Sequence, residues 1–233
     1  MVSAVTFKER LLEAIFLSRP NRFLASVKIA DKPSLSFVPN PGRMHELLKP
    51  GTKIILRELK KKGRKTRFDL IGVFHKNQIV SVDSRIPNKL VSVALKKEDI
   101  KELDGYTQIK SEYNYDHTRF DFFLTNHSPP CLLEVKSCTL VKNGRALFPD
   151  AVTLRGRRHM EQLAKAKMQG HRACVLFMVQ RNDAFVFSPN DEVDSKFGKA
   201  LREAVGKGVE IYAYFSEFME NKIALRGKLE VEL

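Results

Sequence analysis

The residues best placed to do chemistry lie in segment 119–136, RFDFFLTNHSPPCLLEVK. Two apolar runs, 120–124 and 131–135, flank a turn-rich stretch and predict neighbouring strands joined by a hairpin-like connection. Asp121 lies inside the first run, while Glu134 and Lys136 stand two residues apart in the second, on one face of a strand. Burying an ionised carboxylate costs several kcal/mol unless it is paired or metal-bound. The pattern therefore favours a chemical role over a purely structural one.

These residue types suit metal-assisted hydrolysis of a phosphodiester. Asp121 and Glu134 can supply oxygen ligands to a hard divalent ion, Mg2+ or Mn2+. Lys136 can orient or help deprotonate the attacking water and offset charge in the transition state. Glu112, one strand and a short turn before Asp121, is predicted as a third metal ligand. Two alternatives stay open: Glu134 and Lys136 form a solvated charge pair, and Glu112 is a solvent-facing strand residue.

Charge is the strongest compositional signal. The 233 residues include 41 Lys and Arg against 27 Asp and Glu, a net charge of +14, which favours a polyanionic partner. No apolar run approaches the ~20 residues of a spanning helix, and no signal-peptide core begins the chain. We therefore expect a cytoplasmic protein without a membrane partner. Cys131, Cys138 and Cys174 lack C-x-x-C spacing and are expected to be buried thiols.

The chain divides into two parts of different pattern. From residue 11 to residue 82 it predicts short strands punctuated by turns, which is typical of a small barrel or sandwich. The polar segment DSRIPN, 83–88, marks the predicted joint between a domain of residues 1–84 and a domain of residues 85–233. The second domain alternates helices with strands, which predicts an α/β fold. Its run RACVLFMV, 172–179, predicts a central strand covered on both faces.

Cationic side chains of the first part predict a phosphate-binding surface. The run KKKGRKTR, 60–67, connects two strands and contains no aromatic residue, which favours backbone contacts over base stacking at this tip. A merely solvated hairpin tip is the alternative. In PNPGRM, 39–44, Asn40 and Gly42 are either turn formers or part of the same surface. The candidate nucleic-acid ligands of this part are Arg19, Arg22, Asn40, Arg43, Lys60, Lys61, Lys62 and Arg64.

A helix is predicted to follow the candidate site. Thr153 can cap its start and Gly170 ends it. Arg155, His159 and Gln162 lie one turn apart from one another along this helix. A neutral His159 can orient water or protonate a leaving oxygen, because its pKa lies near neutrality. A simple surface position is the alternative for this histidine. The predicted core stripe consists of Met160, Leu163, Ala164 and Met168.

Two family resemblances run through these motifs. R-x-D-F at 119–122 and E-V-K at 134–136 resemble the metal site of the PD-(D/E)xK nucleases, which include restriction endonucleases and archaeal junction resolvases. RPNRFLASV, RFDFFL, LLEVKSCTLV, ALFPDAVTLRGRRHMEQL and GHRACVLFMVQR resemble the sugar fermentation stimulation protein (SfsA) family along nearly the whole chain. The chain departs from that family's usual P-N-T-G-S-M, because Pro41 and Arg43 replace its two hydroxyl residues.

The resemblance implies an α/β fold, α+β overall, in which an OB-like β-barrel precedes a restriction-endonuclease-like α/β domain with a mixed central sheet. It implies DNA binding without sequence specificity, and it brings His159 and Arg155 towards the metal or a phosphate. Arg119, in the R-x-D-F motif, joins the candidate nucleic-acid ligands. The resemblance leaves the oligomeric state open, with a homodimer as one candidate.

Two functions remain open at this point. One is a Mg2+- or Mn2+-dependent DNA phosphodiesterase, and the other is a non-specific DNA-binding protein, with a regulatory role, that uses the nuclease scaffold as a platform. Carboxylates beside phosphate repel a polyanion, so a pure binding protein would gain from losing them. Because Asp121, Glu134 and Lys136 are all retained, the sequence favours the phosphodiesterase.

Overall fold

The computed structural model describes residues 2–60 and 63–233, which form sixteen strands and three α-helices. Two predicted nucleic-acid ligands, Lys61 and Lys62, lie outside the described residues. Most of the first part is β-structure, as predicted. Its strands are β1 (Ala4–Thr6), β2 (Leu11–Asn21), β3 (Leu24–Ile29), β4 (Lys32–Phe37), β5 (Lys53–Glu58), β6 (Phe68–His75) and β7 (Gln78–Ser81).

Strands β2 to β6 close into a five-stranded barrel, which confirms the predicted OB-like fold. The sheet order is β4-β3-β2-β5-β6-β7, and β4 closes the ring by pairing in parallel with β6 at Ser36 opposite Phe68. Alternate residues of the strands point inward, so Val27 and Leu56 are fully buried in the barrel core. Segment 39–51 carries a helical turn that begins at Met44 and leads into β5, also as predicted.

The second part forms a mixed sheet of ten strands. Its strands are β8 (Gln108–Tyr115), β9 (Thr118–Thr125), β10 (Cys131–Cys138), β11 (Leu140–Lys142), β12 (Arg145–Phe148), β13 (Arg172–Val179), β14 (Val186–Pro189), β15 (Glu210–Met219) and β16 (Lys222–Val231), together with β1. The order is β11-β12-β14-β16-β15-β13-β10-β9-β8, with β1 added to β16. The pairs β8–β9 and β9–β10 are antiparallel, whereas β10–β13 and β13–β15 are parallel.

Helices cover both faces of this sheet. α1 (Ile86–Lys96) packs on one face, while α2 (Leu154–Met168) and α3 (Asp191–Gly206) pack on the other; a short 3-10 helix spans Lys101–Leu103. Strand β13 is central, and Leu176 and Phe177 are fully buried on opposite faces, which confirms the predicted covered strand. Met168, predicted in the core stripe of α2, is exposed instead because it lies at the last turn of the helix.

The two parts share an apolar core. Ile55 and Ile71 of the barrel pack in the same cluster as Leu90 of α1 and Leu176 of β13. Strand β1 also lies in the larger sheet rather than in the barrel, because it pairs antiparallel with β16. The predicted domain boundary between residues 84 and 85 remains a prediction. Strand β1 precedes this boundary in sequence but belongs to the sheet of the second part. The barrel therefore packs on the second domain through the same apolar cluster that joins α1 to the central strands of the sheet.

The three cysteines are buried free thiols, as expected. Burial raises the pKa of the Cys138 thiol to about 12, so it stays protonated. Among the described residues, no helix combines the length and the apolarity that crossing a membrane requires.

Candidate functional site

Asp121 sits where strands β9 and β10 separate. Their last paired residues are Phe122 and Leu133, and beyond this pair the carboxylate of Asp121 takes the place of a backbone partner. Its Oδ2 accepts the N–H of Val135 at 2.8 Å, and its Oδ1 accepts the side-chain amide of Asn88 at 2.6 Å. The strand pair and helix α1 thus fix this carboxylate from two sides.

Glu134 and Lys136 lie two residues apart on β10, on one face of the strand as predicted. Lys136 Nζ donates to Glu134 Oε1 at 2.6 Å. His159 Nδ1, from helix α2, contacts the same oxygen, and lies 3.3 Å from Lys136 Nζ. Glu134 Oε2 is buried and has no hydrogen-bond partner among the described residues. One carboxylate oxygen therefore has its partners within the protein, and the other has none among the described residues.

Burial acts to raise the pKa of both carboxylates, but their net pKa shifts are opposite. Burial, reinforced by the negative charge of Glu134, raises the pKa of Asp121 to about 6. Burial also acts to raise the pKa of Glu134, but the charge of Lys136 and the hydrogen bond to His159 outweigh it and lower that pKa. Glu134 is therefore the firmly ionised member of the pair. Asp121 holds its proton more readily than an ordinary aspartate does.

Asp121 and Glu134 line a cleft of about 530 Å³ between the barrel and the second domain. Loop residues 40–42 of the barrel form one wall, and segment 148–153 with the start of α2 forms the opposite wall. Asp121, Glu134 and Lys136 line the floor. Arg22 and Arg155 also line the cleft, and both are exposed. A polyanion in this cleft would meet guanidinium groups beside the carboxylates.

The barrel wall is held by residues that were predicted to contact nucleic acid. Arg19 donates to the backbone carbonyls of Asn40, Gly42, Arg22 and Arg43, at 2.6–2.8 Å. Asn40 is buried: it accepts the N–H of Gly42 at 2.8 Å and donates to Val82 O at 3.0 Å. Arg19 and Asn40 therefore shape the loop, as expected of a turn former at position 40, and their contact with nucleic acid stays a prediction.

Gly42 is required by a close approach between the two walls. A Cβ atom at this position would lie 2.6 Å from Asp150 Oδ2 and 2.9 Å from Asn40 Oδ1. Asp150 also accepts the backbone N–H of Arg43 at 2.9 Å, which ties the barrel loop to the wall that leads into α2. The Arg43 side chain, a predicted phosphate ligand, is exposed.

Glu112 does not join the two carboxylates. It adopts a φ of 52° on β8, between the residues that pair with Phe122 and Phe120 of β9, and its Oε2 lies 3.7 Å from Arg119 Nη1, with both side chains exposed. It lines a neighbouring hollow together with Asp121 and Asn88. Within residues 2–60 and 63–233, no three His, Cys, Asp or Glu side chains are arranged around one metal position. No sequence pattern predicts this positive φ at Glu112, which accompanies its exposed position.

His159 and Arg64 differ from the simplest expectations for their residue types. His159 is buried, with Nδ1 in contact with Glu134 Oε1 and Nε2 accepting from Arg155 Nε at 3.2 Å, so the surface alternative is excluded.

Arg64, predicted as a phosphate ligand, instead pairs with the buried Asp69. Lys60 is exposed just after β5. Helix α2 begins as predicted, since Thr153 Oγ1 accepts the N–H of Gly156 at 3.0 Å.

Two residues of the site escaped the sequence analysis. Asn88 lies 33 residues before its partner Asp121, and only the docking of α1 on the sheet brings them together. Asp150 precedes α2 and faces the barrel loop from across the cleft. Asn88 ends the polar segment 83–88 and Asp150 stands in an apolar run, and neither position identifies a partner.

Comparison with known proteins gives consistent results along the chain. The family model described as "SfsA N-terminal OB domain" matches residues 17–82, and the one described as "Sugar fermentation stimulation protein RE domain" matches residues 85–222. The sugar fermentation stimulation protein homologue of Caldanaerobacter subterraneus subsp. tengcongensis is 42% identical over 226 residues, covering 97% of this chain and 99% of that protein. The Clostridium kluyveri homologue is 43% identical over 228 residues, with the same coverage.

A solved structure extends the similarity to three dimensions. The structure of Pyrococcus furiosus SfsA in complex with Ca2+ matches this chain with a TM-score of 0.92 at 31% sequence identity. The match covers 100% of both chains. The arrangement of the barrel on the mixed sheet is therefore common to both proteins.

Proposed function

The chain belongs to the sugar fermentation stimulation protein (SfsA) family, and from that premise and the geometry of the cleft we propose that it binds DNA and hydrolyses phosphodiester bonds with a divalent metal ion. The substrate strand lies in the cleft between the OB barrel and the mixed sheet. The metal is held at the floor of the cleft by Asp121 and Glu134.

DNA binding is supported by fold and charge together. OB folds are frequent carriers of nucleic-acid sites, and the net charge of +14 favours a polyanion. Arg22 and Arg155 stand exposed at the cleft. Arg19 holds the barrel loop 40–42 through its hydrogen bonds to backbone carbonyls, so its role is to position this wall of the cleft rather than to contact DNA.

The observation that carries the enzymatic part is the unpartnered Glu134 Oε2. A buried carboxylate oxygen without a donor costs free energy, which a bound cation recovers. Mg2+ and Mn2+ take oxygen ligands, and Mg2+ is commonly held by one or two carboxylates, with water and phosphate completing its shell. Asp121 and Glu134 fit this requirement without a third protein ligand. The Pyrococcus furiosus relative was solved with Ca2+, another hard cation.

The other residues have roles that follow from their contacts. Lys136 is positioned by Glu134 and reaches the cleft, where its ammonium group can orient a water and offset charge on a phosphate. His159 lies between Glu134 and Arg155, so it links the floor of the cleft to an exposed guanidinium. Asn88 holds the orientation of Asp121. The metal itself would polarise the scissile phosphate and lower the pKa of bound water.

The test combines calorimetric titration with Mn2+ and cleavage assays on DNA. The parent should bind Mn2+, and Asp121→Asn and Glu134→Gln should each weaken that binding strongly, because both oxygens serve one ion. Glu192→Gln is the matched control, since Glu192 is 81% exposed and pairs only with Lys142 at the surface. Its Mn2+ affinity should equal that of the parent. Equal affinity in all four proteins would rule out the metal site.

One observation favours the second candidate, DNA binding without cleavage. Glu134 Oε1 already receives Lys136 and contacts His159, so the charge of Glu134 is balanced within the protein. In that case Lys136 and His159 would serve only to offset the free-energy cost of burying the charged Glu134. DNA binding without metal-dependent cleavage of single-stranded, duplex or branched substrates would support this candidate and contradict the first.

A further inference from the structure

An aromatic pair lies exposed on the barrel. The Phe23 and Phe37 rings stack with centroids 6.2 Å apart and planes inclined by 17°. Phe23 is 44% exposed and Phe37 is half-buried. The two residues border a hollow of about 390 Å³, which lies within the range of about 300–1,000 Å³ typical of small-molecule sites.

Cations surround the pair. The guanidinium carbon of Arg22 lies 5.7 Å from the Phe23 ring centroid, and that of Arg85 lies 5.9 Å from the Phe37 centroid. Lys65 lines the same hollow and is exposed. The basic run 60–67 contains no aromatic residue, but the fold places the end of that run beside two rings. Flat apolar faces among cations match the two components of a nucleotide, its base and its phosphate.

The pair is connected to the cleft through two arginines. Arg22, beside Phe23, also lines the cleft that contains Asp121 and Glu134. Arg85, beside Phe37, lines the adjoining hollow with Asn88 and Asp121. Guanidinium groups thus lie beside both the aromatic pair and the hollows at Asp121, along a route that a phosphate backbone can follow, and Arg85 on this route also pairs with Asp69 and Asp83.

We infer that Phe23 and Phe37 stack an unpaired base of a DNA strand whose backbone passes Arg22 and Arg85 into the Asp121–Glu134 cleft, so that the substrate is single-stranded. This inference rests on the proposed function for the cleft but concerns the form of the DNA. In a duplex, both faces of each base are covered by neighbouring bases, and only the edges are presented in the grooves. A ring face can therefore recognise a base only where the strand is unpaired.

The test measures binding with EDTA present, so that it does not depend on metal or cleavage. Phe23→Ala should weaken binding of an oligo-dT single strand by about 5- to 150-fold, the range expected for loss of one stacked base. Binding of a duplex of equal length should change by less than about 2-fold. The slope of log K against log salt should stay as in the parent, because Phe23 carries no charge.

Two variants and one direct probe complete the design. Phe23→Tyr keeps a ring face and should restore single-strand binding. Leu35→Ala removes a side chain that is 49% exposed on neighbouring strand β4, and it should bind both DNA forms like the parent. Irradiation with an oligonucleotide that contains 5-iododeoxyuridine should crosslink the peptide that carries Phe23, as identified by mass spectrometry.

The outcomes separate this inference from the proposed function. A selective loss of single-strand affinity supports the stacking site even if the parent shows no cleavage with Mg2+ or Mn2+. Unchanged single-strand binding in Phe23→Ala, or an equal loss on both DNA forms, overturns it even if cleavage is found. Equal weakening by Leu35→Ala also overturns it, because the effect would then belong to barrel stability.

Discussion

Two of the buried charge clusters differ in a way that separates stability from chemistry. In the barrel, Asp69 and Asp83 are buried among Arg57, Arg64 and Arg85. At the cleft, Asp121 and Glu134 are gathered with Lys136 and His159. Both clusters contain two carboxylates, but the clusters differ in how many of the carboxylate oxygens have hydrogen-bond partners.

In the barrel cluster every carboxylate oxygen is matched. Asp69 receives Arg64 on Oδ1, and Arg57 and Arg85 on Oδ2 at 3.0 and 2.8 Å. Burial acts to raise the pKa of Asp69, but the hydrogen bonds from Arg85 and Arg57 outweigh it and lower that pKa. At the cleft the pKa of Asp121 is raised, and Glu134 Oε2 has no partner among the described residues. Complete pairing suits a structural role, whereas an unmatched oxygen suits a ligand.

The largest expected effect is on catalysis. Glu134→Gln should lower metal-dependent cleavage by about 100-fold or more, because it removes the charge that holds the ion. DNA affinity in the absence of metal should hold or rise, since a negative charge near the phosphate is removed. Cleavage assays and salt-controlled binding on the same protein measure both effects.

A barrel variant provides the contrast for this catalytic prediction. Asp83→Asn lies in the fully paired cluster and does not line the cleft. Per folded molecule, its cleavage rate should match that of the parent. A large catalytic loss in the folded Asp83→Asn protein would contradict the division of roles between the two clusters.

The next largest effect is on stability, and it should fall on the other cluster. Asp69→Asn leaves three arginines without their shared carboxylate, and we expect the free energy of unfolding to drop by about 3 kcal/mol. Glu134→Gln should cost about 1 kcal/mol, because Lys136 borders the cleft and can turn towards water. Urea unfolding in the presence of EDTA measures both values. A greater loss for Glu134→Gln would reverse the assignment.

The sequence could predict one cluster better than the other. Glu134 and Lys136 are separated by two residues on one strand, and Asp121 lies on the neighbouring strand, so local periodicity was enough to bring them together. Asp69 meets Arg57, Arg64 and Arg85 only because the barrel closes, and Arg64 therefore looked like a free phosphate ligand. Glu112 stays outside the carboxylate pair because its backbone adopts a φ of 52° and its side chain is exposed beside Arg119, and local periodicity predicts neither feature. Phe23 and Phe37 were missed because a hairpin register, rather than a motif, stacks them.

The lysines of the basic run 60–67 and the exposed lysines of α3 should also differ in DNA binding. If Lys60, Lys61 and Lys62 each contact a phosphate, replacing all three by alanine should flatten the slope of log K against log salt by about 2.7 on duplex DNA. The weakening should be similar for all sequences. The matched variant replaces three exposed lysines that do not line the cleft, Lys196 and Lys199 of α3 and Lys207 at its end. An equal change of slope in both triple variants would assign the effect to net charge alone.

The smallest expected effect is pH-dependent and concerns Asp121. Its pKa of about 6 exceeds the ordinary value of about 3.9. The folded state therefore binds more protons than the unfolded state between about pH 4 and 6, and the parent loses stability as pH rises through this window. Asp121→Asn has no such loss. Relative to the parent, its free energy of unfolding should rise by about 2 kcal/mol from pH 4 to pH 7.

Urea unfolding at several pH values, with EDTA present, measures this effect. The amide introduced by Asp121→Asn keeps one carbonyl acceptor for the donors Val135 N–H and Asn88, so a constant cost is expected at every pH, and only the change with pH reports on ionisation. Asp69→Asn should show the opposite sign. The lowered pKa of Asp69 stabilises the parent above about pH 4, so the deficit of Asp69→Asn should shrink as pH falls below that value. A pH-independent difference for Asp121→Asn would mean an ordinary carboxyl pKa, and the two clusters would then differ only in their geometry.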